Sequence, residues 1–449
     1  MLTNADNKLL SRQLSLSPGI RQDLRIWRPI HYLGSKLRLV QSICEKISEL
    51  DPTFGTVCDL FAGSGTVSLA LSGERNVVAA DIQEYSRVLC SALLQPASLD
   101  RATLDRLFTK IDLNRKRLED SLEPILAFER RAIERANATP ELLCDLVEHG
   151  SLLSGNEEGN ALAVVLKETR SRIEKHADEL MATRYFGGVY FSYRQTLFID
   201  CALNALDDVP AGVKDTFLAA LLSTASTTVN SVGKQFAQPM RPRRSDGTIK
   251  QHLINQMCRD RCLDAEKIFL SCLSRHSELR RDGSHRVIRG DYREVLARLV
   301  NVSVIYADPP YTRDHYSRFY HVLETLCLRD WPTVSTTSLT GQGPTSRGLY
   351  RTDRHQSPFC IKSQAPTAFA ELFEGARKIG VPLLLSYSPY ITNGHPRLMT
   401  VEAVSKIASD YYREVKVVPA RPMAHSKLNK AELHLDASNN AEIFIVCKA

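Results

Sequence analysis

The chain of 449 residues has only two tryptophans and six methionines, and nowhere does it hold an unbroken apolar run of the roughly eighteen residues that a membrane-spanning helix needs. The opening stretch MLTNADNKLLSRQLSLSPGIRQDLRIW lacks the apolar core of a signal peptide, so the sequence predicts a cytoplasmic protein with no membrane partner. Its eleven cysteines are odd in number and scattered from Cys44 to Cys447. A disulfide framework is denser and belongs to shorter chains, so most of these thiols are expected to be reduced and buried. Cys258, Cys262 and Cys272, with His252 or His276, fall in helical sequence without the tight spacing of a zinc knuckle, and no metal is predicted. Internal repeats and low-complexity tracts are also missing.

What is present is the balance of a folded protein, 43% hydrophobic and 24% charged, in a chain longer than one usual domain. The net charge of +7 is not spread evenly: residues 231–289 hold thirteen Lys or Arg against six acids, an excess equal to the total. Lys234, Arg241, Arg243 and Arg244 open that stretch, and Gln235 and Gln238 flank Phe236 within it. Concentrated charge of one sign suits a polyanion, although a solvated basic helix face reads the same way.

Along the chain, Lys36 to Leu50 has an apolar stripe of Leu39, Val40, Ile43, Ile47 and Leu50, which predicts a helix. A strand over 56–61, a glycine turn over 62–65, a short helix and a second strand over 77–80 follow, the last ending in Asp81. This is the opening of a doubly wound nucleotide-binding sheet. From 98 to about 180 the pattern turns charged and helical. The segment YFGGVYFSY at 185–193 and helices to 206, over 213–228 and over 252–274 complete a long insertion. Strand-like runs return at 285–289, 302–307, 382–387, 415–418 and 442–447. The prediction is an α/β protein whose sheet is split by a mainly helical insertion, with segments 28–97, 98–184, 185–284 and 285–449.

Two constellations carry chemistry. The first is Asp59-Leu60-Phe61-Ala62-Gly63-Ser64-Gly65 at a strand-to-helix turn, where glycines let backbone approach a ligand closely. The Lys-Ser/Thr ending of an NTPase phosphate loop is missing. Asp81, at the tip of the next strand, stands where an acid accepts hydrogen bonds from ribose hydroxyls. The second is Asp308-Pro309-Pro310-Tyr311 directly after the apolar run VSVIYA. That places an acid and a ring at the carboxyl end of a buried strand, stiffened by two prolines. Each has a plainer reading, a tight loop for the first and a helix-capping Asp in a Pro-rich turn for the second, but their succession favours a site.

In the order Tyr32-Leu33-Gly34-Ser35-Lys36, DLFAGSG at 59–65, Asp81, Gly290-Asp291-Tyr292 and DPPY at 308–311, the sequence resembles the Dam-like DNA adenine N6 methyltransferases. The likeness covers roughly 28–95 and 285–448, with GGVYFS (187–192) and GKQFAQP (233–239) matching inside the insertion. It implies a Rossmann-like methyltransferase sheet with a target-recognition insertion, S-adenosylmethionine as cofactor and double-stranded DNA as partner. Among its implications are Tyr32, Gly34, Lys36, Asp59, Phe61, Gly63, Gly65, Asp81, Asp291 and Tyr292 on the cofactor. Asp308, Pro309, Pro310 and Tyr311 would act on an adenine turned out of the duplex, and Lys234, Gln235, Arg241, Arg243 and Arg244 would grip the DNA. A cognate restriction nuclease or phage-defence protein is the partner that such an enzyme can have.

Two other readings compete. Guanine-N2 methyltransferases of ribosomal RNA also pair an FAGSG turn with a DPP-aromatic turn, but they lack the YLGSK element and keep the two turns close. A catalytically silent DNA-binding module would not need both Asp308 and Tyr311. The segments YSRFYHVLETL (316–326) and GLYRTDRHQSPFC (348–360) follow the second turn. The first is expected to shape a base pocket or simply to pack as a helix, the second to be a surface loop or a DNA-backbone contact.

Overall fold

The computed structural model describes residues 27–153, 160–279, 282–337, 343–389, 397–420 and 442–448. Arg280 and Arg281 of the basic stretch, and residues 154–159 of the predicted insertion, lie outside the described residues. Seven strands form one sheet: β1 (Val57–Asp59), β2 (Val77–Asp81), β3 (Arg286–Arg289), β4 (Val304–Ala307), β5 (Leu383–Tyr387), β6 (Glu414–Pro419) and β7 (Ile443–Lys448). Their order is β3-β2-β1-β4-β5-β7-β6. The first five run parallel and β7 enters antiparallel to both β5 and β6. Each of the seven strands coincides with a run that the sequence predicts as strand, with β2 and β7 one residue longer at the carboxyl end and β6 one residue longer at both ends.

The helices around the first strands are α1 (Val40–Leu50), α2 (Thr66–Leu71) and α3 (Glu84–Leu94). Between β2 and β3 lie α4 (Arg101–Glu134), α5 (Pro140–His149), α6 (Ala161–Ile173) and α7 (Met181–Phe186). They continue into α8 (Tyr193–Ala205), α9 (Ala211–Thr228), α10 (Gln251–Arg261) and α11 (Ala265–Ser277). After β3 come α12 (Tyr292–Arg298), α13 (Tyr316–Phe319), α14 (His321–Leu328), α15 (Ala365–Ile379) and α16 (Val401–Ser409).

Both faces of the sheet are covered, as parallel strands require. Val57, Val77, Ala79, Val304 and Tyr306 pack on α1 and α2, while Cys58, Val78, Ala80, Ile305 and Leu385 pack on α12, α15 and α16. The alternation is the strand period of two read directly off VVAA and VIYA. The helices between β2 and β3 build their own core around Leu118, Leu122, Phe198, Phe217 and Phe269, which continues onto α3 through Val88 and Leu89 and onto α14 through Val322 and Leu326. The insertion is therefore seated against the helix after β2 and the helix that follows the 308–311 turn.

One predicted helix splits. Instead of a single helix over 252–274, α10 ends at Arg261 and the Asp264 side chain caps α11 by accepting from the Lys267 amide. An Asp capping a new turn satisfies amides that a continuous helix would leave to the preceding carbonyls.

Candidate active site

Parallel register gathers the acids. Asp59 closes β1 opposite Ala79 of β2 and Tyr306 of β4, and Asp81 closes β2 opposite Arg289 of β3. Asp291 and Asp308 lie just past the ends of β3 and β4. Four carboxylates distant in sequence thus share one edge of the sheet, where the strand order reverses between β1 and β4. Open α/β sheets bind ligands at that point. A single cleft there is lined by Tyr32, Gly34, Lys36, Asp59, Phe61, Gly63, Asp81, Asp291, Tyr292, Asp308 and Pro310.

The glycine turn is held from below. Asp81 accepts from the amide of Gly63 at 3.0 Å through Oδ2 and from that of Gln83 at 2.9 Å through Oδ1. Each oxygen retains a lone pair for a further donor. Gly63 has φ +55°, and a Cβ there would meet the Tyr32 hydroxyl at 2.5 Å. Gly34 (φ +69°) is approached in the same way by the Tyr316 hydroxyl, 2.7 Å from where a Cβ would stand. Asp59 is buried and accepts from Ser68 Oγ at 2.6 Å, whereas its Oδ1 has no hydrogen-bond partner. Burial lifts the Asp59 carboxyl to about 7 against the pull of Ser68, and raises Asp81 too. A ligand rich in donors or positive charge would relieve both. At the far end, Phe61, Tyr292 and Phe359 form an aromatic wall with ring centroids 5.2–5.8 Å apart. Asp291 caps α12 and accepts from Arg293.

The segment carrying Lys36 is laid on the helices after the Asp308 turn. Tyr32 stacks on Tyr320 at 4.9 Å with the rings 12° from parallel, and the Leu33 amide donates to the Tyr320 hydroxyl at 2.6 Å. Lys36, 7% exposed, reaches Asp308 Oδ1 at 3.0 Å and Glu442 Oε1 at 3.7 Å. Burial works against its charge, but Asp308 and Glu442 outweigh burial and hold the ammonium well above its ordinary value. Burial pushes the Asp308 carboxyl up to about 6, with Lys36 pulling it down and Glu442 adding to the rise. Lys36, expected against the cofactor, is thus equally a partner of Asp308. Tyr311 donates to Glu442 at 3.0 Å and meets the Tyr387 ring edge-on. The Arg397 guanidinium stands 4.7 Å from its ring centroid and Lys36 Nζ 5.6 Å from it. Pro309 is buried behind the turn.

Some expected residues stand elsewhere. Gly65 (φ +74°) does not line the cleft: its missing side chain lets α3 approach, since a Cβ would meet Leu93 at 2.8 Å and Cys90 Sγ at 3.2 Å. Of the basic group, Lys234 turns inward, to Asp260 at 3.1 Å and the Val229 carbonyl at 2.8 Å. Arg243 is neutralised by Asp145 at 2.7 Å and Glu148 at 2.5 Å on α5. These two fix the loop to the insertion in place of presenting free charge. Arg241 and Arg244 are exposed, Gln235 is half-buried, and Phe236 is buried against Tyr190. The stretch 348–360 is also not a plain surface loop, since His355, Ser357 and Phe359 line the cleft.

The sequence reading missed Glu442 altogether, because nothing local marks a lone acid that opens a strand far along the chain. It also gave Arg397 no role, and took Tyr320 and His355 only as members of the 316–326 and 348–360 segments. The aromatic spacing in YSRFY was the one available signal for Tyr316 and Tyr320.

Residues 32–123 match the family model of the D12 class N6 adenine-specific DNA methyltransferases. The match runs from Tyr32 through β1, the glycine turn, β2 and α3 into α4, and stops short of the Asp308 turn. It indicates an adenine-specific DNA methyltransferase, an enzyme class that acts on DNA and generally uses S-adenosylmethionine. No curated protein matches the chain. Among the described residues no helix is long and apolar enough to cross a membrane.

Proposed function

We propose that the chain transfers the methyl group of S-adenosylmethionine to the N6 amine of an adenine turned out of double-stranded DNA. The observation that carries this reading is the convergence of Asp59, Asp81, Asp291 and Asp308 on one cleft at the switch point of the sheet. The residues fit the cofactor. The orphaned Asp59 Oδ1 suits its ammonium, the free lone pairs of Asp81 its ribose, and the wall of Phe61, Tyr292 and Phe359 its adenine. Gly34 and Gly63 line the cleft with bare backbone, which lets its methionine chain approach closely.

When bound, S-adenosylmethionine supplies a methyl group on a sulfonium, an electrophile that needs a lone pair aligned with it. The exocyclic amine of adenine delocalises its lone pair into the ring and is a poor nucleophile. Asp308, accepting an N–H of that amine, localises the pair and stabilises the charge that builds on nitrogen. Lys36 occupies Oδ1 of Asp308, which leaves Oδ2 for the amine. The Pro309 carbonyl is the second acceptor. Tyr311 stacks on the extruded base, for an amine inside a duplex cannot line up with a bound methyl. The proton becomes acidic once nitrogen carries the methyl, so no strong base is needed.

The test is Asp308→Asn, with tritium transfer to duplex DNA and calorimetric cofactor binding measured side by side. Transfer should fall at least about a hundredfold while cofactor affinity stays close to that of the parent. Near-parental turnover of the variant, no cofactor binding by the parent, or a preference for RNA would each overturn the reading.

A further inference from the structure

Three segments meet outside the cleft. Ser317 and His355 line it and are joined by a hydrogen bond from Ser317 Oγ to the His355 carbonyl. Their chain neighbours on the rim are Arg318 and Arg354. Both guanidiniums stand against one ring, that of Tyr350, at 5.0 Å and 5.6 Å from its centroid. The Tyr350 hydroxyl donates to the carbonyl of Ala237, and the Phe236 amide donates to the carbonyl of Phe319 at 3.0 Å. The insertion loop, the helix after the catalytic turn and the 348–360 stretch are thereby stitched into one surface beside the site.

The charge on that surface is not compensated. Arg351, between Tyr350 and Arg354 in sequence, takes both local acids, Asp330 at 2.6 Å and Asp353 at 2.8 Å. Among the described residues no carboxylate pairs with Arg318 or Arg354, whose polar contacts are the Tyr350 hydroxyl at 3.4 Å and the Arg351 carbonyl at 3.3 Å. The Arg354 Nε is buried without a partner. Two like charges gathered on one ring, one of them partly buried, are costly unless an anion completes the set. The ring holds the guanidiniums in place by cation–π attraction while their outer N–H groups remain free to donate.

We propose that Arg318 and Arg354, braced on Tyr350, form the clamp for the DNA phosphate backbone beside the flipped base, the task that Lys234 and Arg243 were expected to perform. The proposal rests on the reading that the substrate is duplex DNA. Its position explains why a phosphate belongs there: a base drawn into the cleft brings its flanking backbone across the rim where Ser317 and His355 lie. A phosphate contact is independent of sequence, so the recognition site need not be known to test it.

Affinity for a random-sequence duplex of about 30 base pairs should be measured between 50 and 200 mM salt for the parent, Arg318→Gln, Arg354→Gln, the double variant and Arg318→Lys. Each phosphate contact contributes about 0.9 to the logarithmic salt slope. The affinity ratio between the two salt concentrations should therefore shrink about tenfold in the double variant, and Arg318→Lys should keep the parental slope. Thermal unfolding and cofactor binding identify variants that merely fail to fold. A parental slope in the folded double variant overturns the clamp. So does a loss confined to one sequence, which would make the contact a base readout. A parent that binds no duplex at 50 mM salt overturns instead the reading of DNA as substrate.

Discussion

Asp308 lies between two opposed charges, and removing each in turn should move the pH dependence of methyl transfer in opposite directions. Below its pKa Asp308 is protonated on the group that must accept the amine N–H, so activity falls on the acid side with a midpoint near 6. Lys36 Nζ is 3.0 Å from Asp308 Oδ1. At an effective dielectric constant of about 20 that separation corresponds to roughly 5 kcal/mol, an upper bound, and neighbouring cations lower carboxyl pKa values by about 1–3. Lys36→Met should therefore move the acid limb from near 6 to between about 7 and 9, cutting the rate at pH 7 while leaving it recoverable in alkali. Glu442→Gln removes a charge that adds to the rise and should move the limb the other way, by about one pH unit or less. Asp59, Tyr306, Tyr311 and Tyr316 face the same group and are unchanged in both variants. Single-turnover rates across pH 5–10 isolate the chemical step from product release. Two limbs that shift in the same direction, or that do not move, would show that Asp308 ionisation does not set the rate.

The glycine turn gives a second expectation: Gly63→Ala places a Cβ 2.5 Å from the Tyr32 hydroxyl at a positive φ, and should weaken cofactor binding about tenfold or more by calorimetry. Arg243→Ala should leave the DNA salt slope unchanged and instead loosen the loop, because its guanidinium is occupied by Asp145 and Glu148; parallel loss of slope would place it on the DNA after all. Arg261 and Glu129 form a pair with side chains 0% and 4% exposed, and Arg261 also donates to the carbonyls of Gly188 and Phe191. Glu129→Gln leaves that cation buried alone and should cost about 3 kcal/mol in denaturant unfolding.

The carboxyl ends of the first strands were legible because β1 and β2 are short apolar runs that end in an acid and β4 is one followed directly by Asp308, and parallel register then needs no further information to bring those acids together. Asp59, Asp81 and Asp308 could be placed this way, and Asp291 followed with the resemblance. Gly65 shows the limit of that logic. A glycine beside a ligand and a glycine under a neighbouring helix have the same sequence signature, and only the positions of Leu93 and Cys90 decide between them.

Charge is harder to read than apolar pattern, since a formal count cannot tell a cation facing solvent from one already paired. Lys234 and Arg243 belong to the stretch that carries the whole net charge, yet their partners come from α10 and α5, elements that sequence distance separates from the loop. Arg318 and Arg354 lie outside that stretch, and Arg354 follows Asp353 in the chain, yet Asp353 turns to Arg351 instead. What makes a basic residue available to a polyanion is the absence of a carboxylate in space, a property of packing. The sequence pattern predicted the sheet, whose pairing follows from burial, but gave no sign that Lys234 and Arg243 are already paired, because the pairing of cations does not.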